Sequence, residues 1–228
     1  MDNRDLAAQL ARAEVVERQW ELTKQYLGNQ DVALDDMGLP AIARIDDSAE
    51  PGAYHVFLPI AGEPYFIVIV LRAAQTGALA LAWVYMEAAL RVALIVESRE
   101  VSAEEITRRT GITPSKWHAI GEPMGITPRR YERHMWQYEP DADVPAWFET
   151  KLQKLLDMVE PSAAEFAAIG HTGEIQVSIV YRGWAGDWQF GGLHLDADTA
   201  RRIAALGASV DIKLEAFGPP MPDEEASD

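Results

Sequence analysis

Apolar side chains recur at helical spacing near the start of the chain, at Leu6, Leu10, Ala13, Val16, Trp20 and Leu27. The stripe predicts an amphipathic helix over residues 4–27, with Gly28-Asn29 as its stop. Such a face must be covered, either by a sheet of the same chain or by a second copy in a homodimer. Residues 30–52 lose the pattern and carry Asp31, Asp35, Asp36, Asp46, Asp47 and Glu50, so they read as an acidic surface linker with little structure. Two strand-like runs follow, 54–60 and 64–72, around Ala61-Gly62-Glu63. The unbroken Tyr65-Phe66-Ile67-Val68-Ile69-Val70 predicts a strand buried on both faces.

Residues 78–96 are apolar almost throughout, yet Glu87 and Arg91 lie near the middle. Each is expensive at bilayer depth, so the segment reads as core and not as a membrane span. Ala and Leu favour helix here, whereas Trp83-Val84-Tyr85-Met86 and 92–96 favour strand. The pattern predicts two strands with a break near 87–89.

The sharpest punctuation is VSAEEITRRTGITP at 101–114. Ser102 and Glu105 have capping-box spacing, Gly111 falls where the chain turns left-handed past the helix, and Pro114 forbids continuation. The segment 111–133 then reads as irregular, with GITPSKW at 111–117 echoed by GITPRRY at 125–131, which turn chemistry explains. A short strand at 134–139 precedes a helix over 146–159 that keeps Trp147, Leu152, Leu155, Leu156 and Val159 on one side, with Pro161 beyond its end. Strands at 174–181 and 188–195 read as a pair joined across 182–187. Asp196 or Asp198 caps a helix through Leu206 that Gly207 ends, and 210–217 alternates as a last strand. Residues 218–228, with three prolines and four acids, predict a disordered tail. The expected organisation is an N-terminal helix and linker at 1–52, one α+β body at 53–217, and the tail.

Composition narrows the function classes. A net charge of −16 and a pI near 4.7 argue against nucleic-acid binding, which draws on clustered Lys and Arg, and favour a basic protein partner. The absence of cysteine excludes disulfides, thiolate metal sites and thiol nucleophiles. MDNRDLAAQLARAE has no apolar signal core, which predicts a cytoplasmic protein away from membranes.

The order of elements over 90–217 is similar to an uncharacterised bacterial family, domain of unknown function 4279. The resemblance is carried by EEIT at 104–107, GITPSKWHAIGEP at 111–123, Trp136, KLQKLLDMVEP at 151–161, the paired strands and RRIAALGASVDIKL at 201–214. It implies an α+β fold: a mixed or mostly antiparallel sheet, helices packed on one face and ferredoxin-like elements in the C-terminal half. It implies no catalytic residues.

Candidate chemistry is sparse. No two of His55, His118, His134, His171 and His194 share a metal-ligand spacing, and Asp196 beside His194 is what a helix start requires, so no metal or cofactor is expected. There is no Walker loop, nucleophile elbow or dinucleotide fingerprint. Two features suit binding. Trp184, in a glycine-rich tip between strands, offers a stacking surface, while Trp188 reads as folded back onto the core. Lys116, Arg129, Arg130 and Arg133 belong to the one basic island of an acidic chain and could hold an anion. Three readings stay open: a non-enzymatic binding protein, such as an immunity-type inhibitor of a basic partner; a binder of a small anion or sugar; and a hydrolase with a dispersed site around His118, His134 and His194.

Overall fold

The computed structural model describes residues 2–73, 78–187 and 192–220. The chain forms two compact units, one from Met1–Ala89, Arg182–Gly191 and Leu214–Asp228, the other from Leu90–Tyr181 and Gly192–Lys213. The fold is α+β, as expected. Of the tail expected to be disordered at 218–228, residues 221–228 lie outside the described residues, as does Trp188, whereas residues 218–220 are placed, with Pro219 held by Trp184.

In the first unit, helices α1 (Asn3–Glu17) and α2 (Glu21–Tyr26) precede strands β1 (Arg44–Asp46), β2 (Ala53–Pro59), β3 (Tyr65–Ala73) and the start of β4 (Leu79–Ser98). These strands pair antiparallel in chain order. The predicted single helix is broken, because Arg18 turns left-handed with φ 50°. Its guanidinium holds the carbonyl of Leu27 and the carboxylate of Asp31, each at 2.7 Å, and Glu14 accepts from the Trp20 amide at 3.0 Å. Contacts distant in sequence thus offset the cost of the turn. The buried stripe is also rotated from the expected one. Ala7, Ala11 and Val15 lie against the sheet, their small side chains allowing close approach, while Val16 is exposed. The helix is covered by its own chain and needs no second copy.

Strand β3 has Tyr65 and the run Ile67–Leu71 buried, so both faces are covered as its sequence requires. The stretch read as a linker carries β1 and an isolated bridge from Val32 to Ile60. Asp46 there is buried, accepting from Arg44 at 2.7 Å, the Ser48 amide at 2.9 Å and the Ser48 hydroxyl at 2.6 Å. Burial alone would raise its pKa, but these donors prevail and hold it below the ordinary value.

Residues 78–96 contain no break. β4 runs for 20 residues. What changes near 89 is its partner: Tyr65 to Ala73 lie opposite Ala88 to Leu79, and the next strand over, β6 (His134–Tyr138), lies opposite Leu94–Ser98. Glu87 and Arg91 therefore form no helical pair; Arg91 instead holds Glu139.

The second unit continues from β4 into α3 (Ala103–Thr110), β5 (Lys116–His118) and β6, with β5 on the outer side of β6. Helix α4 (Phe148–Val159) leads through a short 3-10 turn into α5 (Ala163–Ile169), which the sequence reading missed. Strand β7 (Gly173–Trp184) pairs with β4 and with β8 (Ser209–Phe217), and α6 (Ala197–Ala205) lies between them in sequence. The expected hairpin of 174–181 with 188–195 is not formed by its described part, since 192–196 is coil. A Cβ on Gly173 would lie 2.7 Å from the Glu97 carbonyl, so the start of β7 requires glycine.

The punctuation of α3 is as read. Ser102 Oγ accepts from the Glu105 amide at 3.3 Å, and Gly111 has φ 72°. Glu105 does not complete the box, because its carboxylate is held by Arg108 and Arg109. Ser102→Ala should cost about 1 kcal/mol, the usual loss of an N-cap, read as a lower denaturant midpoint; an unchanged midpoint would deny the cap any role.

Candidate functional site

The basic segment folds as an excursion between β5 and β6. Hydrogen bonds from the Gly121 amide to Tyr131, from Tyr131 to Glu122 and from Met124 to Arg129 zip its two arms together, at 2.8, 3.0 and 2.9 Å. Gly125 at its tip has φ 60°, and Ile126 is fully exposed. The excursion walls a cleft of about 680 Å³ lined by Glu97, His118, Met124 and Arg129 through Arg133.

Of the predicted binding residues, the cleft gathers Arg129, Arg130 and Arg133. Arg133 pairs with Glu174 at 2.9 Å, and Arg130 donates to the Gly121 carbonyl at 2.6 Å. Arg129 makes no ion pair among the described residues. Lys116 is exposed on β5 and does not line the cleft. His118 stacks flat on Tyr131, with ring centroids 3.4 Å apart. Burial pushes the His118 imidazole below its ordinary value against the pull of Glu97 and Glu122, so it faces the arginines uncharged at neutral pH. Its Nδ1 has no partner among the described residues.

Trp184 is not a surface residue. It is the last residue of β7 and only 2% exposed, in the first unit's core. Its indole Nε1 donates to the Pro219 carbonyl at 2.7 Å, and Tyr26 meets it edge-on at 5.7 Å. The glycine-rich sequence suggested a free tip. The returning 217–219 segment covers it, and nothing local encodes that return.

Asp196 caps α6, accepting from the Thr199 amide at 2.7 Å, which holds its carboxyl below the ordinary range. His134 accepts from the Ile120 amide at 3.2 Å through Nδ1. No group of three or more metal-capable His, Cys, Asp or Glu side chains occurs among the described residues.

The profile of a protein family, Domain of unknown function (DUF4279), matches residues 88–217, more than half of the chain. The chain belongs to that family. The family segment holds the cleft, β5, β6 and helices α3 to α6; α1, α2 and β1 to β3 lie outside it. No match was found among curated proteins or among solved structures. No helix of the described residues is long and apolar enough to cross a membrane.

A second feature lies outside the family segment. Leu34 bridges to Pro40, closing a tight loop. Asp35 is its organiser: one carboxylate oxygen accepts from the amides of Met37 and Leu39, each at 3.0 Å, and the other from Arg12 at 3.0 Å. Arg12 also donates to the Pro40 carbonyl at 2.9 Å, and Gly38 supplies φ 77°. The loop holds Leu34 at 63%, Met37 at 78% and Leu39 at 44% exposure, beside the exposed Asp36. Sequence reading passed over it because three isolated apolar residues in an acidic stretch carry no periodicity. The signal present was turn chemistry, Asp-Asp-Met-Gly before Pro40. Charge divides in the same direction. The first unit contains 19 acidic and 7 basic residues, the second 17 and 13.

Proposed function

We propose that the protein is a cytoplasmic, non-enzymatic binding protein that holds a basic protein partner on its acidic first unit, as an immunity-type inhibitor would. The observation that carries this reading is the 34–39 loop. Asp35 and Arg12 hold the backbone that carries its three exposed apolar side chains, so little backbone freedom is lost on docking. Apolar anchors in an acidic surround suit a partner with an apolar pocket rimmed by Lys and Arg, and long-range attraction would speed encounter. The test is calorimetric titration against a panel of basic proteins, ribonucleases and deoxyribonucleases included, at about 50 and about 500 mM salt. A partner should emerge whose affinity falls with salt and drops 10-fold or more, about 1.4 kcal/mol, in Met37→Asp. A panel without a binder, or a binder indifferent to both salt and Met37, counts against the reading.

A second reading is a small-anion site in the cleft, favoured by Arg129 and Arg130 beside a neutral His118. Inorganic phosphate would then shift the His118 ring resonances with saturation, and Arg129→Ala would weaken the effect. A linear, unsaturating shift rejects it.

A further inference from the structure

Strand β8 is an edge. It pairs with β7 on one side and carries no other partner strand among the described residues. The edge strands β1 and β5 are three residues long, the usual protection against unwanted pairing. β8 has nine residues, with no proline and no positive φ within it. Every residue from Ser209 to Leu214 is exposed, on both sides of the strand. Three of them are aliphatic and share one side: Val210 at 39%, Ile212 at 46% and Leu214 at 59%. The opposite side carries Asp211 and Lys213, neither of which forms an ion pair among the described residues.

The segment Val210-Asp211-Ile212-Lys213-Leu214 is complementary to itself when reversed. In an antiparallel pair related by a two-fold axis through Ile212, residues whose numbers sum to the same value stand opposite on the same side of the sheet. Ile212 then faces the partner's Ile212, and Val210 faces the partner's Leu214. Asp211 faces the partner's Lys213, and the symmetry repeats that ion pair. A register shifted by one residue in either direction would put aliphatic side chains opposite charged ones. We propose that the protein forms a homodimer in which β8 pairs antiparallel with β8 of a second copy about Ile212. The pairing satisfies the open backbone edge, covers the aliphatic row with its own counterpart and gives Asp211 and Lys213 the partners they lack.

Charge reversal tests the register. Sedimentation velocity on the full chain should give, for the wild type at about 100 μM, a species of twice the 25.3 kDa chain mass. Asp211→Lys places four lysines around the axis and Lys213→Asp places four aspartates there, so each variant alone should sediment as a monomer. Mixed in equal amounts, the two single variants should recover the dimer, because lysines then face aspartates. The double exchange Asp211→Lys with Lys213→Asp should also be dimeric. Both positions are exposed, and circular dichroism checks that each variant is folded. A monomeric wild type overturns the proposal and leaves the edge to a different chain. Dimers that persist in both single variants, or a mixture that stays monomeric, also overturn it.

Discussion

Trp184→Ala should be the most damaging single substitution in the first unit, lowering stability by about 3–5 kcal/mol. The side chain is 2% exposed, so its removal leaves a cavity among Tyr26, Tyr65 and Phe217 that backbone strands cannot collapse to fill. The Pro219 carbonyl loses its indole donor at the same time. For a chain of this size the melting temperature should fall by about 8–15 °C. Trp184→Phe keeps a ring in the site and loses the hydrogen bond, so it should cost about 1–2 kcal/mol. Calorimetric melting separates the two. A near-normal melting temperature for the alanine variant would return Trp184 to the surface and undo the account of this core.

Arg91→Met should cost about 3 kcal/mol in the second unit. Glu139 has a side chain only 2% exposed, and Arg91 grips both its oxygens, Nε reaching Oε1 at 2.8 Å and Nη2 reaching Oε2. Glu139 also supports the charge of Lys151, which is 5% exposed and held below its ordinary pKa by burial, with the nearby Arg91 charge acting in the same direction as burial. Methionine preserves the packing of the arginine stem and removes the guanidinium charge with its N–H donors, leaving a buried carboxylate short of its strongest partner. The Arg91 side chain is 43% exposed, which is why the lower end of the range for broken buried pairs applies. Glu139→Gln combined with Arg91→Met should recover part of the loss. Denaturant midpoints of the three proteins measure this, and equal midpoints for wild type and Arg91→Met would show the pair to be idle.

Elements fixed by local chemistry were legible in the chain. Ser102 with Gly111 bounds α3, Asp196 with Gly207 bounds α6, and the β-branched run of β3 is buried on both sides as such a run demands. The misreadings have a common cause. Arg18 turns left-handed because Leu27 and Asp31 reward it, β4 exchanges partners without interrupting its backbone, and β7 pairs with β4 and β8, both distant in sequence. Each outcome is decided by residues far along the chain. The site follows the same division. The basic island could be seen in composition, whereas the stack of His118 on Tyr131, the burial of Trp184 and the rigid 34–39 loop depend on pairing that no local pattern records.

The first unit takes its residues from both ends of the chain and from 182–191 between them. During synthesis this imposes an order of events. The ribosome has delivered Ala89 long before Phe217, and Trp184 and Phe217 are part of the core that the first strands need. At typical elongation rates the wait is roughly 10 s. Throughout it, Tyr65 at the start of β3 lacks the cover that the C-terminal segment at Gly218 brings, and the core lacks Trp184, so the nascent N-terminal half is the segment on which a ribosome-associated chaperone should act.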